Sequence, residues 1–316
     1  MRVAFVGLAL GVLAVVASPA WATFPGRNGQ LGFGVYVLNE GTDIDIEQNF
    51  VGIGTPGGPR RIFAPGSSPA FSPYGRKLAY AGSDARPGIW LTRPDCRWPK
   101  RRSSPPPCSR LRRLTRGDDS SPAWSPDGKR IALVRYNPVT YFETILTVRA
   151  DGGGPRFLVR GAAPDWSSKG ALAFTRSSDA PDELRVREPD GRVRTLPVRG
   201  RQPTWAPGGN RLAFVGQGEP ATTTALYTIH ADGTGLRRVW QSENRYYPDD
   251  VSSPIWSPDG RWIAFIKSAD PVTSGSVFAI RPTGGGLRLL MRRMTDCVRC
   301  DYEPQLGALS WQALRP

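Results

Sequence analysis

The chain has 316 residues, with 42 Lys and Arg against 27 Asp and Glu, a formal net charge of +15. Its 36 Gly and 31 Pro work against long helices and favour many short strands joined by turns. A balance this basic admits acidic partners, yet the cations are mostly Arg and are spread along the chain, with Lys only at 77, 100, 129, 169 and 267. No basic stripe of the kind that reads nucleic acid is present, and the one dense run is "RWPKRRSSPPPCSRLRR" at 97–113.

Residues 1–22, "MRVAFVGLALGVLAVVASPAWA", carry one early positive charge, an apolar run from Val3 to Ala17 and an A-x-A site at Ala20-Trp21-Ala22. This predicts a secretory signal peptide rather than an anchor, because the run is short for a span and no basic stop-transfer cluster follows. The expected product is one domain over 23–316, secreted or periplasmic, monomeric and not membrane-spanning after cleavage.

From residue 67 onward one phrase recurs: "SSPAFSPYGRKLAY" (67–80), "SSPAWSPDGKRIAL" (120–133), "AAPDWSSKGALAF" (162–174), "RQPTWAPGGNRLAF" (201–214) and "SSPIWSPDGRWIAF" (252–265). Its aromatic anchors are Phe71, Trp124, Trp166, Trp205 and Trp256, and a sixth, Trp311, stands in "GALSWQALRP" at the C-terminus. Anchor spacings of 53, 42, 39, 51 and 55 residues each hold one four-stranded propeller blade and none holds two. The continuation that Trp311 lacks is found at the other end of the chain, where "RNGQLGF" (27–33) matches "KGALAF". One blade is therefore split, and pairing of the two ends closes the ring without open edges.

Each part of the phrase has a mechanical reading. Ser-Pro suits an innermost strand, where the N–H that Pro lacks breaks no ladder bond. The aromatic is expected between adjacent blades. "SPDG" is a type I turn with Pro at its second and Gly at its fourth position. "KRIALV" alternates into a second strand, and Gly-rich hairpins such as "TVRADGGGPRFLV" (147–159) and "YTIHADGTGLRRV" (227–239) join a third to a fourth. The prediction is an all-β fold: a six-bladed β-propeller of four-stranded antiparallel blades.

"SPAWSPDGKRIA" with a trailing "ADGTGLRRV" resembles the TolB-like (WD40-like, PD40-type) β-propeller repeat. The resemblance covers nearly all of the chain after residue 22 and implies an exported propeller, here expected to lack the α/β domain that precedes the propeller in TolB. The propellers of dipeptidyl and prolyl oligopeptidases are also similar, but no G-x-S-x-G elbow occurs in this sequence. Gly-His and Trp-Asp pairs of ordinary WD repeats are missing as well.

Candidate chemistry is sparse. The one His, His230, sits where the sister repeat has Arg149, so it reads as a surface residue, and triad or multi-His metal chemistry is not indicated. No catalytic residues are assigned. In a propeller the connections from a fourth strand to the next first strand run to one channel mouth. This gathers Asp118, Asp119, Asp249, Asp250, Asp301 and Glu303 there, beside Tyr246, Tyr247 and Tyr302. Such a patch suits a basic peptide or Ca²⁺, the one ion considered where no resident cofactor is otherwise expected. The alternative is that these Asp cap turns locally. Cys96 and Cys108 fall in a 3–4 hairpin, and Cys297 and Cys300 in a 4–1 connection on the opposite face. Disulfides Cys96–Cys108 and Cys297–Cys300 are therefore expected in an oxidising compartment. The functional expectation is a binding module for a protein, peptide or anionic envelope polymer rather than for nucleic acid, with enzymatic activity left open. The alternative is a Ca-dependent hydrolase or lactonase of the six-bladed kind. The inner strands offer chiefly Ser, Ala, Pro and Thr, with Asp165 the exception.

Overall fold

The structure, a computed structural model, describes residues 24–39, 46–95, 111–176, 182–219, 221, 223–244, 249–268, 275–292 and 305–315. The signal segment, all four cysteines, Tyr246, Tyr247, Asp301, Tyr302 and Glu303 lie outside them. Six four-stranded antiparallel sheets make up the fold. Blade one comprises Ser67–Phe71, Leu78–Ala81, Ile89–Thr92 and Arg112–Arg113. Blade two comprises Asp119–Trp124, Arg130–Tyr136, Glu143–Arg149 and Arg156–Arg160. Blade three runs through Ala162–Trp166, Leu172–Arg176, Glu183–Arg187 and Val193–Arg199, and blade four through Arg201–Trp205, Arg211–Gln217, Thr224–His230 and Arg237–Gln241. Blade five holds Asp250–Trp256, Ile263–Ser268, Ser276–Ile280 and Arg288–Met291. The split blade places Gln305–Leu314 beside Arg27–Asn39, followed by Ile46–Gly54 and Arg60–Pro65. The register Arg27↔Leu314 through Tyr36↔Gln305 zips the two ends of the chain together.

In every blade the strand that carries the anchor is the first of the sheet, and neighbouring first strands touch one another around the ring. The turn that follows has its expected bond. The N–H of Gly75, Gly128, Gly170, Gly209 and Gly260 donates to the carbonyl three residues earlier, at 2.8–3.0 Å. The Gly supplies the left-handed conformation the turn needs, with φ +66° at Gly128 and +69° at Gly260. In blade one, "SPYG" tightens into a 3-10 turn, Pro73–Gly75, with Tyr74 itself at φ +64°.

The hydrophobic core is six seams rather than one mass. Trp124 is buried with Ala79, Ile89 and Leu91 of blade one, and Trp205 with Ala173, Leu184 and Val186 of blade three. Trp256 joins Val215 and Leu226 of blade four, Trp311 joins Ile266 and Val277 of blade five, and Phe71 joins Val51 and Ile53 of the split blade. Trp166, half-buried, packs on Ala132 and Ile145 of blade two. Every anchor thus seals its own blade to the preceding one. Burying an aromatic ring of this size supplies more stabilisation than any surface pair in the molecule.

One feature of the inner strands is not written in any local motif. Ser68, Ser121, Ala163, Gln202 and Ser253, each just before a Pro, have φ between +47° and +54°, and Ala308 has φ +28° before Leu309. At each place the ladder to the second strand slips by one residue, as between Ser67/Ala70 and Ser252/Ile255. These are β-bulges, which bend a strand and re-aim its side chains. Because Ala308 does the same without Pro, the bend belongs to the ring and not to proline. Left-handed backbone at a non-Gly residue costs about 1–2 kcal/mol, and here it is held in place by the blades on either side.

Candidate functional site: the central channel and its mouth

The bulged segments of all six first strands wall a central channel with a cavity of about 210 Å³. Phe24 also lines it, and packs on the blade one–blade two core that holds Trp124. The Gly26 N–H donates to Pro258 O in the turn of blade five at 3.2 Å, and Arg27 pairs with Leu314 at the last turn-side position of its strand. Phe24 therefore stands at the hairpin-face end of the channel.

The wall carries one residue directly before each anchor: Ala70, Ala123, Asp165, Thr204, Ile255 and Ser310, of which three are polar. Where that residue is polar it can serve the next blade. Ser310 Oγ accepts the Phe71 N–H at 3.0 Å, and Asp165 Oδ2 accepts the Trp205 N–H at 2.7 Å. The indole N–H of Trp205 donates to Asp165 O at 3.1 Å, as that of Trp124 does to Ala70 O at 3.0 Å. Gln202 Oε1 accepts the Ser253 N–H at 2.8 Å, tying blade four to blade five one step further out.

Asp165 is the carboxylate among the residues lining the channel. The residue borders the channel, but its carboxyl is enclosed by the wall. Burial pushes it up to about 7, against the opposing pull of the Trp205 N–H and the other bonds it accepts. Near neutral pH this group is poised between a donor-capable acid and an acceptor-only carboxylate.

Of the acidic residues read from the sequence as a mouth patch, Asp118, Asp119, Asp249 and Asp250 lie at the starts of the first strands of blades two and five, while Asp301 and Glu303 fall outside the described residues. Those blades stand on opposite sides of the ring, so Asp118 and Asp119 face Asp249 and Asp250 across the mouth and do not share a cluster. The Asp119 side chain has no exposed surface and takes a bidentate bond from Arg135, at 2.7 and 2.9 Å. Asp249 pairs with Lys267 Nζ at 2.6 Å and accepts from Ser242. Asp250 accepts from Thr224 Oγ1 at 2.9 Å, and that same oxygen accepts the Val251 N–H. Asp118 is exposed at the rim. Among the described residues no group of three His, Cys, Asp or Glu is arranged to hold a metal. His230 ends the third strand of blade four, with Arg211 donating to its Nε2 at 3.0 Å.

Sequence reasoning noted Asp165 only as an exception in a wall of small residues. Its signal was available in the aligned copies, since the position before the anchor is Asp in only one of them. What alignment does not show is that this position points at the next blade's anchor.

Six seamed blades closed by the two chain ends around a narrow channel define a six-bladed β-propeller. No family model matches the chain. Over 85 residues it is 34% identical to the Tol-Pal system protein TolB of Syntrophus aciditrophicus (strain SB), a match covering 26% of this chain and 17% of that protein. The structure superposes on TolB from Acinetobacter baumannii with a TM-score of 0.64 at 17% identity, covering 92% of this chain and 68% of the other. It superposes on the putative TolB of Agrobacterium tumefaciens with a TM-score of 0.60 at 16% identity, covering 88% and 91%. The fold is thus similar to that of the TolB propellers.

Proposed function

We propose that this chain is an exported interaction module that receives a protein or peptide segment at the channel mouth. The observation that carries the reading is the channel itself: six bulged strands line a small cavity, with Ser and Gln residues among them, and Phe24 stands at the far end. Such a wall offers hydrogen-bond partners to a polar or basic segment. The N-terminal 22 residues would direct export, and Cys96–Cys108 and Cys297–Cys300 would be oxidised in that compartment; intact-mass measurement and non-reducing peptide mapping of secreted material test both. Asp118, Asp249 and Asp250, with Asp301, Glu303, Tyr246 and Tyr247, would rim the mouth.

The test places a photoreactive side chain at position 118 on the rim or at position 193 on the exposed outer strand of blade three. On exposure to envelope extract, discrete adducts from 118 alone support the reading; equal adducts from both positions, or none from 118, overturn it. A calcium titration followed by melting temperature addresses the Ca-dependent hydrolase reading: a shift lost in Asp250→Asn would favour it.

A further inference from the structure

The face opposite the proposed mouth carries a feature the repeat does not require. Between the hairpins of blades one and two lies an open cleft with a cavity of about 820 Å³, lined by seven cationic side chains and one carboxylate. Arg76 and Lys77 follow the first turn of blade one, Lys129 and Arg130 follow that of blade two, Arg93 comes just after the third strand of blade one and Arg149 ends that of blade two. All six are exposed. The floor is buried and uncharged, made by Leu91, Thr92 and Ala150.

Among the described residues, most of these cations have no ion-pair partner. Arg149 pairs with Asp151, Arg93 lies 3.7 Å from exposed Asp95, and Arg112 donates to the Ala150 carbonyl at 2.6 Å. None of the ion pairs between described residues involves Arg76, Lys77, Lys129 or Arg130. The nearby Asp127 is tied into its own turn by the Ser125 hydroxyl at 2.6 Å and the Lys129 N–H at 3.0 Å.

The repeat provides an internal control. The corresponding cleft between blades three and four is balanced, with Glu188 and Asp232 against Lys169 and Arg194, and Arg194 lies 2.9 Å from Glu188. Identical architecture therefore does not impose the charge; these two blades carry it separately. The track also continues sideways: Arg76 and Arg93 line an adjoining cavity of about 460 Å³ with Arg61 of the split blade.

We propose that this cleft is a binding site for a linear phosphate-bearing polymer. A track across three blades exceeds what one small anion needs. Planar guanidinium forks match phosphate oxygens in pairs. An acidic protein segment fits less well, because protein anchors are apolar or aromatic and the cleft exposes no such pocket among the described residues. The site lies on the opposite face from the proposed mouth, so its existence does not depend on that reading.

The experiment measures binding of labelled long-chain polyphosphate to the mature chain by fluorescence anisotropy. Arg76→Glu/Lys129→Glu/Arg130→Glu is compared with Arg116→Glu/Arg199→Glu/Arg261→Glu, which changes net charge equally at exposed positions elsewhere. The cleft variant is expected to lose roughly tenfold or more in affinity and the control on the order of threefold or less, with parent binding weakening as salt rises. Lys77→Gln/Lys129→Gln, which reverses no charge, should give an intermediate loss and serves if the triple variant fails to fold. Equal losses in both triple variants would assign binding to bulk charge and overturn the site, as would absence of binding. Equal affinity for polyglutamate would transfer the cleft to an acidic peptide and overturn the phosphate assignment.

Discussion

Trp205 is bonded to Asp165 twice: its backbone N–H meets the carboxyl at 2.7 Å and its indole N–H meets the backbone carbonyl at 3.1 Å. One residue of blade three thus orients both the strand and the seam-sealing ring of blade four. The same residue is the titratable group of the channel wall, which links the stability of the ring to the state of the channel.

That link has a pH signature. Burial raises the Asp165 carboxyl from 3.8 to about 7 in the folded protein. Across that window the folded state holds a proton that the unfolded chain has released. Stability must therefore fall as pH rises from about 4 to 7, by at most about 1.4 kcal/mol per unit from this group. Asp165→Asn, whose amide oxygen still accepts the Trp205 N–H, should flatten the slope in urea melts. Glu143, also raised by burial and by Asp182, adds a dependence of the same sign. Identical slopes in parent and variant would remove Asp165 from the account.

Seam anchors should be individually costly. Trp205 is 1% exposed within the seam between blades three and four. Trp205→Ala should lose about 3–5 kcal/mol in denaturant unfolding, since the cavity cannot collapse without moving a blade. A loss below about 1 kcal/mol would mean the seam repacks freely.

Asp119 and Arg135 test whether a mouth carboxylate is structural. Arg135→Ala leaves the fully enclosed Asp119 carboxylate without its bidentate partner and should cost about 3 kcal/mol. Asp119→Asn, which leaves no buried charge, should cost less, about 1–2 kcal/mol. The reverse order would show that the pair does not hold the start of blade two.

Closure by the two chain ends predicts a sharp response to truncation. A chain ending at residue 304 lacks Gln305–Leu314, hence the first strand of the split blade and Trp311 of the blade-five seam. It should lose cooperative thermal unfolding and associate through the exposed edge of Arg27–Asn39. A monomeric truncated chain with an unchanged melting transition would contradict closure at this blade.

Much of the architecture was legible in the sequence because a propeller is written in repeats. The anchor spacing set the blade number, the Ser-Pro pair marked the first strands, and the "SPDG" turn bonds follow from Pro and Gly backbone limits. "RNGQLGF" revealed the split blade, because a second strand without a first one has to find it elsewhere. The bulges were not legible: Ser68 and Ala308 adopt left-handed backbone with and without a following Pro, so no local residue preference encodes it.

The sequence by itself determined the fold, since short-range patterns repeated at blade length leave few alternatives to a closed ring. It also named the acidic residues at the starts of blades two and five. Only the tertiary structure decided what those residues face. It set Asp118 and Asp119 across the ring from Asp249 and Asp250, and enclosed Asp119 against Arg135. It also turned Asp165 toward the next blade, and brought Arg76, Lys77, Lys129 and Arg130 from two separate turns into one cleft. The reason is that charge and hydrogen-bond balance depend on distance in space. Residues more than fifty positions apart become neighbours only when one blade packs on the next.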